Sequence, residues 1–447
     1  MSRNKKATAA KDDGKPALVP KLRFPEFQGA GEWITETLGS VARISTEKVG
    51  GKAAIPMSIT SGIGLVSQMD KFGRIIAGNS YANYLLLKKD DFAYNKSATK
   101  EYPEGFIALY SGDGLAAVPN SIFTCFRIKG ESPVPQYLNY LFLGNLHGKW
   151  LSKFIEVGAR AHGSLSIKED DLLALPLPLP SGNKSVAEQQ KIAECLSSVD
   201  EMIAAQARNV DALKTHKKGL MQQLFPREGE TQPRLRFPEF QKDGEWKEKP
   251  FTELCDIKHG YAFESEFFSN EGDYVLLTPG NFFEEGGYRD RGELQKYYTG
   301  DIPSDYVLAK NDLLVAMTEQ AAGLLGSPIL TPEADRFLHN QRLGLVVKKP
   351  GVAWANEFFF HIFNTQRVRK AIHDTASGAK VRHTSPTKIG DVLVSVPTTL
   401  PEQYRIASCL SSLDALITAE ARKLEALKRH KRGLMQQLFP SPEEVEA

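Results

Sequence analysis

The strongest constraint on this chain is a segment of 39 residues that occurs twice. Residues 188–226 and 402–440 align without a gap at an offset of 214, and 26 of the 39 positions are identical. A shorter repeat opens each half, because residues 20–28 return as residues 233–241 with nearly the same sequence. Internal repeats of this kind determine the architecture. The chain is therefore a tandem duplication, in which each half begins and ends with the same sequence.

The apolar residues of the long repeat recur at steps of three and four, which is the heptad pattern of a helix with one narrow apolar stripe. A proline follows each copy and ends the helix, so each helix is predicted to be roughly 55 Å long. A narrow stripe on so long a helix needs a partner, and we expect the two copies to pair in an antiparallel intramolecular coiled coil. The alternative is two independent surface helices, each packed on its own domain. The predicted pairing residues are Ile192, Leu196, Val199, Ile203, Val210, Leu213, Leu220 and Leu224 in the first copy, and Ile406, Leu410, Leu413, Ile417, Leu424, Leu427, Leu434 and Leu438 in the second.

The two halves diverge between their repeated ends. Short apolar runs separated by glycine and asparagine predict β-rich interiors, with one helix in each half over residues 136–154 and 355–373. The predicted class is α/β (α+β), with two globular β-rich modules joined and spaced by the two long helices in a pseudo-two-fold arrangement. The predicted divisions are a disordered tail at 1–19, module one at 20–180, a central helix at 181–226, module two at 227–400, and a second helix with a tail at 401–447.

Composition excludes several classes of protein. The 447 residues carry a net charge of +2, and 41% of them are hydrophobic, which is typical of a soluble protein with its own cores. The sequence contains neither an apolar run long enough for a membrane span nor a secretory leader at its start, so we expect a cytoplasmic protein. The four cysteines lack CxxC spacing, and we expect no metal site. Walker A and adenine-methyltransferase motifs are missing from the sequence, and we expect no catalytic residues.

The repeated openings and the two long helices form a frame, and this frame carries two different modules. This arrangement has a functional implication. The frame must meet the same partner twice or pair with itself, whereas each module must meet something different. Antiparallel helices would place the modules in inverted orientations at the two ends of a rod. Inverted modules at a fixed separation match the two-fold symmetry of duplex DNA and its spaced half-sites.

The repeated segments also carry a resemblance. Residues 402–407 read Glu-Gln-Tyr-Arg-Ile-Ala, with Pro397 and Pro401 before them, and they resemble the start of the conserved helices in specificity subunits of type I restriction–modification systems. Residues 188–193, the Gly-Leu-Met-Gln-Gln-Leu-Phe endings at 219–225 and 433–439, and the repeated Arg-Phe-Pro-Glu-Phe openings are similar to the same family. The resemblance extends from residue 20 onward, in the same order.

The resemblance implies a division of labour. Each module would be a target recognition domain that reads one half of a bipartite, gapped site in double-stranded DNA. The paired helices would fix the spacing and dock two modification (methyltransferase) subunits, and restriction subunits with translocase and nuclease activity would join through these. The chain itself would bind no cofactor, because S-adenosylmethionine, ATP and Mg²⁺ would be bound by the partner subunits.

Three alternatives are open at this point. The methyltransferase and nuclease could lie in one fused partner chain, with this chain as the specificity subunit of such a related system. The chain could also be a stand-alone bipartite DNA-binding regulator, which would bind its site without other subunits. A coiled-coil scaffold whose modules bind proteins or glycans would show no salt-sensitive binding to DNA.

Candidate DNA contacts follow from residue type and loop context. Lysine, arginine and histidine near flexible glycine turns suit phosphate contacts, and the candidates of this kind are Lys149, Lys153, Arg160, His162, Arg369, Lys380, Arg382 and His383. Polar side chains in loops suit contacts with base edges, and these candidates are Asn95, Lys96, Lys100, His259, Tyr261, Thr318, Gln320, Asn340 and Arg342. A solvated helix face or a turn-stabilising role is the alternative for each residue.

Overall fold

The computed structural model describes residues 18–60, 62–155, 165–378, 381–441 and 444–445. Most of the predicted tail at 1–19 lies outside these ranges. Contacts divide the chain into two compact units. Unit one comprises the chain up to Gln206 together with the chain from Lys423, and unit two comprises Ala207–Arg422. Each unit therefore holds one module and a stretch of both long helices.

Unit one contains two four-stranded sheets and a separate strand pair. The strands are β1 Ile34–Thr37, β2 Ala42–Ser45, β3 Ile55–Thr60, β4 Gly64–Ser67, β5 Leu85–Leu87, β6 Phe92–Asn95, β7 Phe106–Leu109, β8 Ala116–Val118, β9 Phe123–Ile128 and β10 Pro176–Leu179. The helices are α1 Leu38–Val41, α2 Gln68–Phe72, α3 Pro135–Leu143, α4 Leu146–Ser152, α5 Glu169–Leu173 and the long helix α6 Ser185–Leu224.

Unit two repeats this plan. Its strands are β11 Lys247–Pro250, β12 Cys255–His259, β13 Phe268–Ser269, β14 Tyr274–Leu276, β15 Tyr297–Tyr298, β16 Leu313–Ala316, β17 Pro328–Leu330, β18 Phe337–Leu338, β19 Leu343–Lys348 and β20 Leu393–Val396. Its helices are α7 Phe251–Leu254, α8 Asn356–Phe363, α9 Gln366–Asp374, α10 Pro386–Gly390 and the long helix α11 Leu400–Leu438.

The central sheets of the two units have the same strand order. The order is β2-β9-β6-β7 in unit one and β12-β19-β16-β17 in unit two, and all neighbours are antiparallel. Strands β6 and β16 are fully buried along their length, because each is a short apolar run of the kind that forms a covered central strand. The terminal pairs β1–β10 and β11–β20 also match. The modules therefore share a fold despite their divergent sequences.

The prediction of one helix in each module is wrong, because each predicted helix is two helices. In module one the break lies between α3 and α4, where Asn145 has a left-handed φ of 60° that a continuous helix does not allow. In module two the break precedes α9, whose first turn is capped by the Thr365 hydroxyl oxygen accepting from the Val368 amide.

The two long helices run antiparallel within each unit, as the heptad pattern predicts. In unit one, Ile192 near the start of α6 shares a core with Leu438 at the end of α11. In unit two, Leu224 at the end of α6 shares a core with Ile406 near the start of α11. All sixteen predicted pairing residues are buried or half-buried. Among the described residues, the helices are too polar or too short to cross a membrane.

Candidate nucleic-acid interface

A buried clamp ties the opening segment of unit one to its long helix. The Arg23 guanidinium donates through Nε and Nη2 to the two carboxylate oxygens of Glu188, at 2.7 Å each. The Trp33 indole donates to the same carboxylate at 3.2 Å. Both charged side chains are almost inaccessible, at 7% and 1% exposure. Removing either partner would leave an uncompensated buried charge, which is strongly destabilising.

Unit two builds the same clamp from the equivalent residues. Arg236 donates to both oxygens of Glu402 at 2.8 Å, and the Trp246 indole donates to Glu402 at 3.1 Å. In both units the arginine also donates to two backbone carbonyls of its own opening segment. The arginine, the tryptophan and the glutamate of the repeated motifs therefore meet in the same way in both units.

The glutamine that follows each clamp glutamate holds the module helix. The Gln189 side-chain oxygen accepts from the Val134 backbone amide at 2.8 Å, directly before α3. The Gln403 oxygen accepts from the Ala355 amide at 2.9 Å, directly before α8. Both glutamines are fully buried, and each bonds one of the amides that helix starts leave unpaired. The sequence showed that these glutamines repeat but not what they contact.

An ion pair joins the two long helices in each unit, at a lysine that interrupts the apolar stripe. In unit one, Lys431 of α11 lies 2.6 Å from Asp200 of α6. In unit two, Lys217 of α6 lies 2.5 Å from Asp414 of α11. The four residues are two equivalent pairs in the duplicated helices, so the same contact forms reciprocally in the two units. The frame is thus repeated in its contacts as well as its sequence.

In module two, four chain segments converge at one end of the central sheet, and we call this surface face two. Its segments are 258–261, 339–342, 317–320 and 382–384. Backbone hydrogen bonds join them in that order: Gln341 to Tyr261 at 2.9 Å, Met317 to Arg342 at 3.0 Å, and Glu319 to Arg382 at 2.8 Å. The structure therefore brings together eight candidates that are far apart in the sequence, namely His259, Tyr261, Thr318, Gln320, Asn340, Arg342, Arg382 and His383.

Face two is rich in exposed cations and hydrogen-bonding groups. Arg342, Arg382, His383 and His259 are exposed, as is Gln320, whereas Thr318 is half-buried. Tyr261 is also exposed and packs against Phe263, with ring centroids 5.0 Å apart. Module two is acidic as a whole, with 15 lysine and arginine against 19 aspartate and glutamate residues between 251 and 397. Face two therefore concentrates positive charge on an otherwise acidic module, as binding to phosphates requires.

Module one has the corresponding surface, which we call face one, formed by segments 95–100, 119–122 and Leu165. The Lys96 amide donates to the Ile122 carbonyl at 2.8 Å, and the Leu165 amide donates to the Lys96 carbonyl at 2.7 Å. These bonds match those that Met317 makes with Arg342 and Thr384 in module two. Lys100 is exposed and Lys96 is half-buried. Face one also borders a recess of about 480 Å³ whose lining includes Asn95 and Ile122.

Three candidates on or near these faces have structural roles. Asn95 is buried, and its side-chain oxygen accepts from the Ser97 amide. Asn340 is buried and accepts from the Arg342 amide in the same way. Arg369 donates to the Glu284 and Gly323 carbonyls, and burial lowers its pKa to about 10. Asn95 and Asn340 therefore fix loops of the two faces, whereas Arg369 ties α9 to backbone carbonyls outside face two.

The remaining basic candidates lie elsewhere or outside the described ranges. Lys149 is on α4, and Lys153 follows it with its ammonium 4.7 Å from the centre of the Trp150 ring. Arg160, His162 and Lys380 lie outside the described residues. Within the described ranges, histidine, cysteine and carboxylate side chains form no cluster of three or more suited to a metal ion.

Known proteins are similar to this chain in both sequence and fold. The family model of the type I restriction modification DNA specificity domain matches residues 243–429. The MjaX specificity subunit of a type I restriction enzyme from Methanocaldococcus jannaschii is 23% identical over 338 residues, which are 75% of this chain and 74% of that one. The MjaVIII specificity subunit of the same organism is 24% identical over 59% of this chain and 61% of its own length. The chain is thus similar to type I specificity subunits over most of its length.

A solved structure extends the likeness to nearly the whole fold. The crystal structure of a type I restriction–modification S subunit from M. genitalium covers 95% of this chain and 100% of that one, with a TM-score of 0.57 and 14% sequence identity. The predicted fold class, two sheet-rich modules carried on two long helices, is therefore confirmed. This similarity implies DNA and the other components of a restriction–modification complex as partners.

Proposed function

We propose that this chain is the DNA-recognition subunit of a type I restriction–modification complex, in which module one reads one half of a bipartite gapped site and module two reads the other. One observation carries the proposal. The two modules share a strand order and the backbone bonds of their faces, yet they present different side chains there, on a frame whose contacts repeat. Equal scaffolds with unequal faces suit two half-sites of different sequence.

The two faces supply both kinds of contact that DNA recognition needs. Exposed cations, such as Lys100 in face one and Arg382 in face two, can neutralise phosphates and provide salt-dependent affinity. Side chains in the interior of a face can reach base edges in the major groove. The chain contributes recognition, and catalysis belongs to its partners.

The repeated frame supports a partner that binds twice. Met202 on α6 and Leu416 on α11 are equivalent positions in the duplication, and both are exposed, at 49% and 44%. The same surface is thereby offered once in each unit. The proposed occupants are two methyltransferase subunits, which would bind S-adenosylmethionine. Restriction subunits that use ATP and Mg²⁺ would join through them.

The test combines a purification with methylation mapping. The tagged chain is purified from its native cells, and the stoichiometry of bound proteins is measured by mass. N6-methyladenine is then mapped in the genome with the chain, after its deletion, and after complementation. We expect a methyltransferase at two copies per chain, and a split motif that loses methylation on deletion and regains it on complementation. An unchanged methylome with no bound methyltransferase would overturn the proposal.

A further inference from the structure

Arg342 occupies a position that both modules build in the same way. Its carbonyl accepts from the Met317 amide, just as the Ile122 carbonyl in module one accepts from the Lys96 amide. Both residues directly precede the strand that pairs with the central strand of their sheet, β19 or β9. Position 342 in module two is thus the counterpart of position 122 in module one. The same backbone site carries an arginine in one module and an isoleucine in the other.

The backbone of Arg342 is fixed while its side chain projects into solvent. Its amide donates to the buried Asn340 side chain at 3.1 Å, and its carbonyl is held by Met317. The side chain is exposed. Two other arginines of module two, Arg336 and Arg367, pair with carboxylates, whereas among the described residues no carboxylate pairs with Arg342. Its guanidinium is therefore exposed, without a carboxylate partner in the part of the chain that the structure describes.

The location of Arg342 within face two favours a base over a phosphate. The segment 339–342 is bonded to 258–261 on one side and to 317–320 on the other, so it lies in the interior of the face. Arg382 belongs to the outermost segment, and its guanidinium lies 2.8 Å from the His373 ring. Phosphate contacts position a protein on DNA, whereas contacts with base edges specify the sequence, and we assign the second role to the arginine in the interior of the face.

We propose that Arg342 is a specificity-determining residue that reads a guanine in the half-site of module two. An arginine fork matches the O6 and N7 acceptors of guanine in the major groove, which other bases do not present together. The inference rests on the proposed function and adds the identity of one base to it. Ile122, at the same position in module one, has no donor and makes no such contact, so the two half-sites differ here.

The test uses the complex as purified with its own subunits and the site found by methylation mapping. Arg342→Ile installs the residue that module one carries at this position. Arg336→Ile removes an arginine that directly precedes β18, outside the segments of face two, and serves as the matched control. Binding is measured to the mapped site, to the same site with 7-deazaguanine at each guanine of one half in turn, and to unrelated DNA, over a range of salt.

We expect Arg342→Ile to weaken binding to the mapped site by about 10- to 100-fold and to leave binding to unrelated DNA nearly unchanged. One 7-deazaguanine in one half should weaken the wild type by a similar factor without weakening the variant further. In cells, the methylated motif should lose its demand for guanine at that position alone. Arg336→Ile should leave both the affinity and the motif unchanged.

Three results would overturn the assignment to Arg342 while the proposed function stands. These are an equal loss on specific and unrelated DNA with a shallower salt dependence, no loss at all, or half-sites without guanine. A wild-type complex that binds no site above unrelated DNA would instead contradict the proposed function itself. The two failures are therefore distinguishable.

Discussion

The two units have the same clamp, but they differ at one position of the module helix that packs against the long helices. In unit one, the Tyr140 hydroxyl of α3 donates to Asp200 at 2.9 Å, and Lys431 lies over the tyrosine ring and pairs with the same carboxylate. The counterpart of Tyr140 in unit two is His361, counted from the amides that Gln189 and Gln403 hold. His361 is fully buried against the Ser411 hydroxyl, and its Nδ1 has no partner among the described residues.

The difference shows that the repeated frame can accept different side chains, here a tyrosine or a histidine, where a module packs against it. A tyrosine extends the cross-helix ion pair with a hydrogen bond and carries no charge at ordinary pH. A buried histidine leaves one nitrogen unsatisfied and can acquire a proton. Burial, with the nearby Lys217 ammonium adding to it, lowers the pKa of His361 to about 3. Unit two is therefore sensitive to acid at a position where unit one is not.

The largest expected effect tests whether the two clamps are equal. Glu188→Gln and Glu402→Gln each leave a buried arginine without its carboxylate, and each should lower the free energy of unfolding of its own unit by about 3–5 kcal/mol. Hydrogen exchange of the amides in α3 and α8 measures the two units separately.

The control for the clamp is Glu26→Gln, because Glu26 pairs with Lys191 at 3.5 Å on the surface with both side chains about half exposed. This substitution should cost less than about 1 kcal/mol. A loss at Glu188 no larger than the loss at Glu26 would show that the clamp is not what holds the opening segment. A loss of stability from only one of the two glutamate substitutions would show that the two clamps do not stabilise their units equally.

An intermediate effect concerns the contrast between His361 and Tyr140. Below pH 6.5 the unfolded chain takes up a proton at His361, whereas the folded unit resists it until the pH nears 3. The stability of unit two should therefore fall as the pH is lowered through this range, by about 2 kcal/mol at pH 5. His361→Tyr should remove this loss, and Tyr140→His should introduce it into unit one.

Hydrogen exchange at pH 7 and pH 5, corrected for intrinsic rates, measures this loss in α8 by comparing the wild type with His361→Tyr. Helix α3 does not serve as a reference, because His147 in unit one is also buried and burial lowers its pKa to about 4. His361→Phe serves as a second variant, which removes the titrating ring without adding a hydroxyl. Equal losses of protection in α8 of the wild type and of His361→Phe would contradict the explanation through His361.

The smallest expected effect concerns the reciprocal ion pairs. Lys431–Asp200 and Lys217–Asp414 are half-buried, and each should contribute about 1 kcal/mol or less. A double-mutant cycle with Asp200→Asn and Lys431→Met gives the coupling in unit one, and Asp414→Asn with Lys217→Met gives it in unit two. We expect a stronger coupling in unit one, where Tyr140 shares the carboxylate. Equal couplings would remove any role for the tyrosine.

The sequence predicts the two long helices well, because the two copies of the duplicated segment can be aligned with each other. The stripe from Ile192 to Leu224 and the stopping prolines define both helices to within a few residues. The clamp was hidden, since Arg23 and Glu188 are 165 residues apart and no periodic pattern links them. The break at Asn145 depends on one left-handed residue that the apolar spacing does not reveal.

The faces could be predicted by residue type but not by geometry. Face two unites segments that only the sheet order brings together, so its residues were scattered candidates in the sequence. Ile122 was not a candidate at all, because its equivalence to Arg342 rests on backbone bonds and not on sequence likeness. Arg369 belongs to a basic cluster in the sequence, yet its guanidinium donates to carbonyls of its own module.

The hydrogen bonds between the frame and each module have a consequence for the evolution of the chain. Gln189 and Gln403 hold the modules through backbone amides, and the clamp arginines bond backbone carbonyls of the opening segments. Because these bonds use backbone atoms, which every residue type except proline offers, they place little demand on the side chains of the module at these points. Recombination between related genes can therefore replace a whole module at the repeated boundaries, and mutation can change its surface, without any change in these backbone bonds. The architecture lets recognition change in single genetic events while the assembly remains the same.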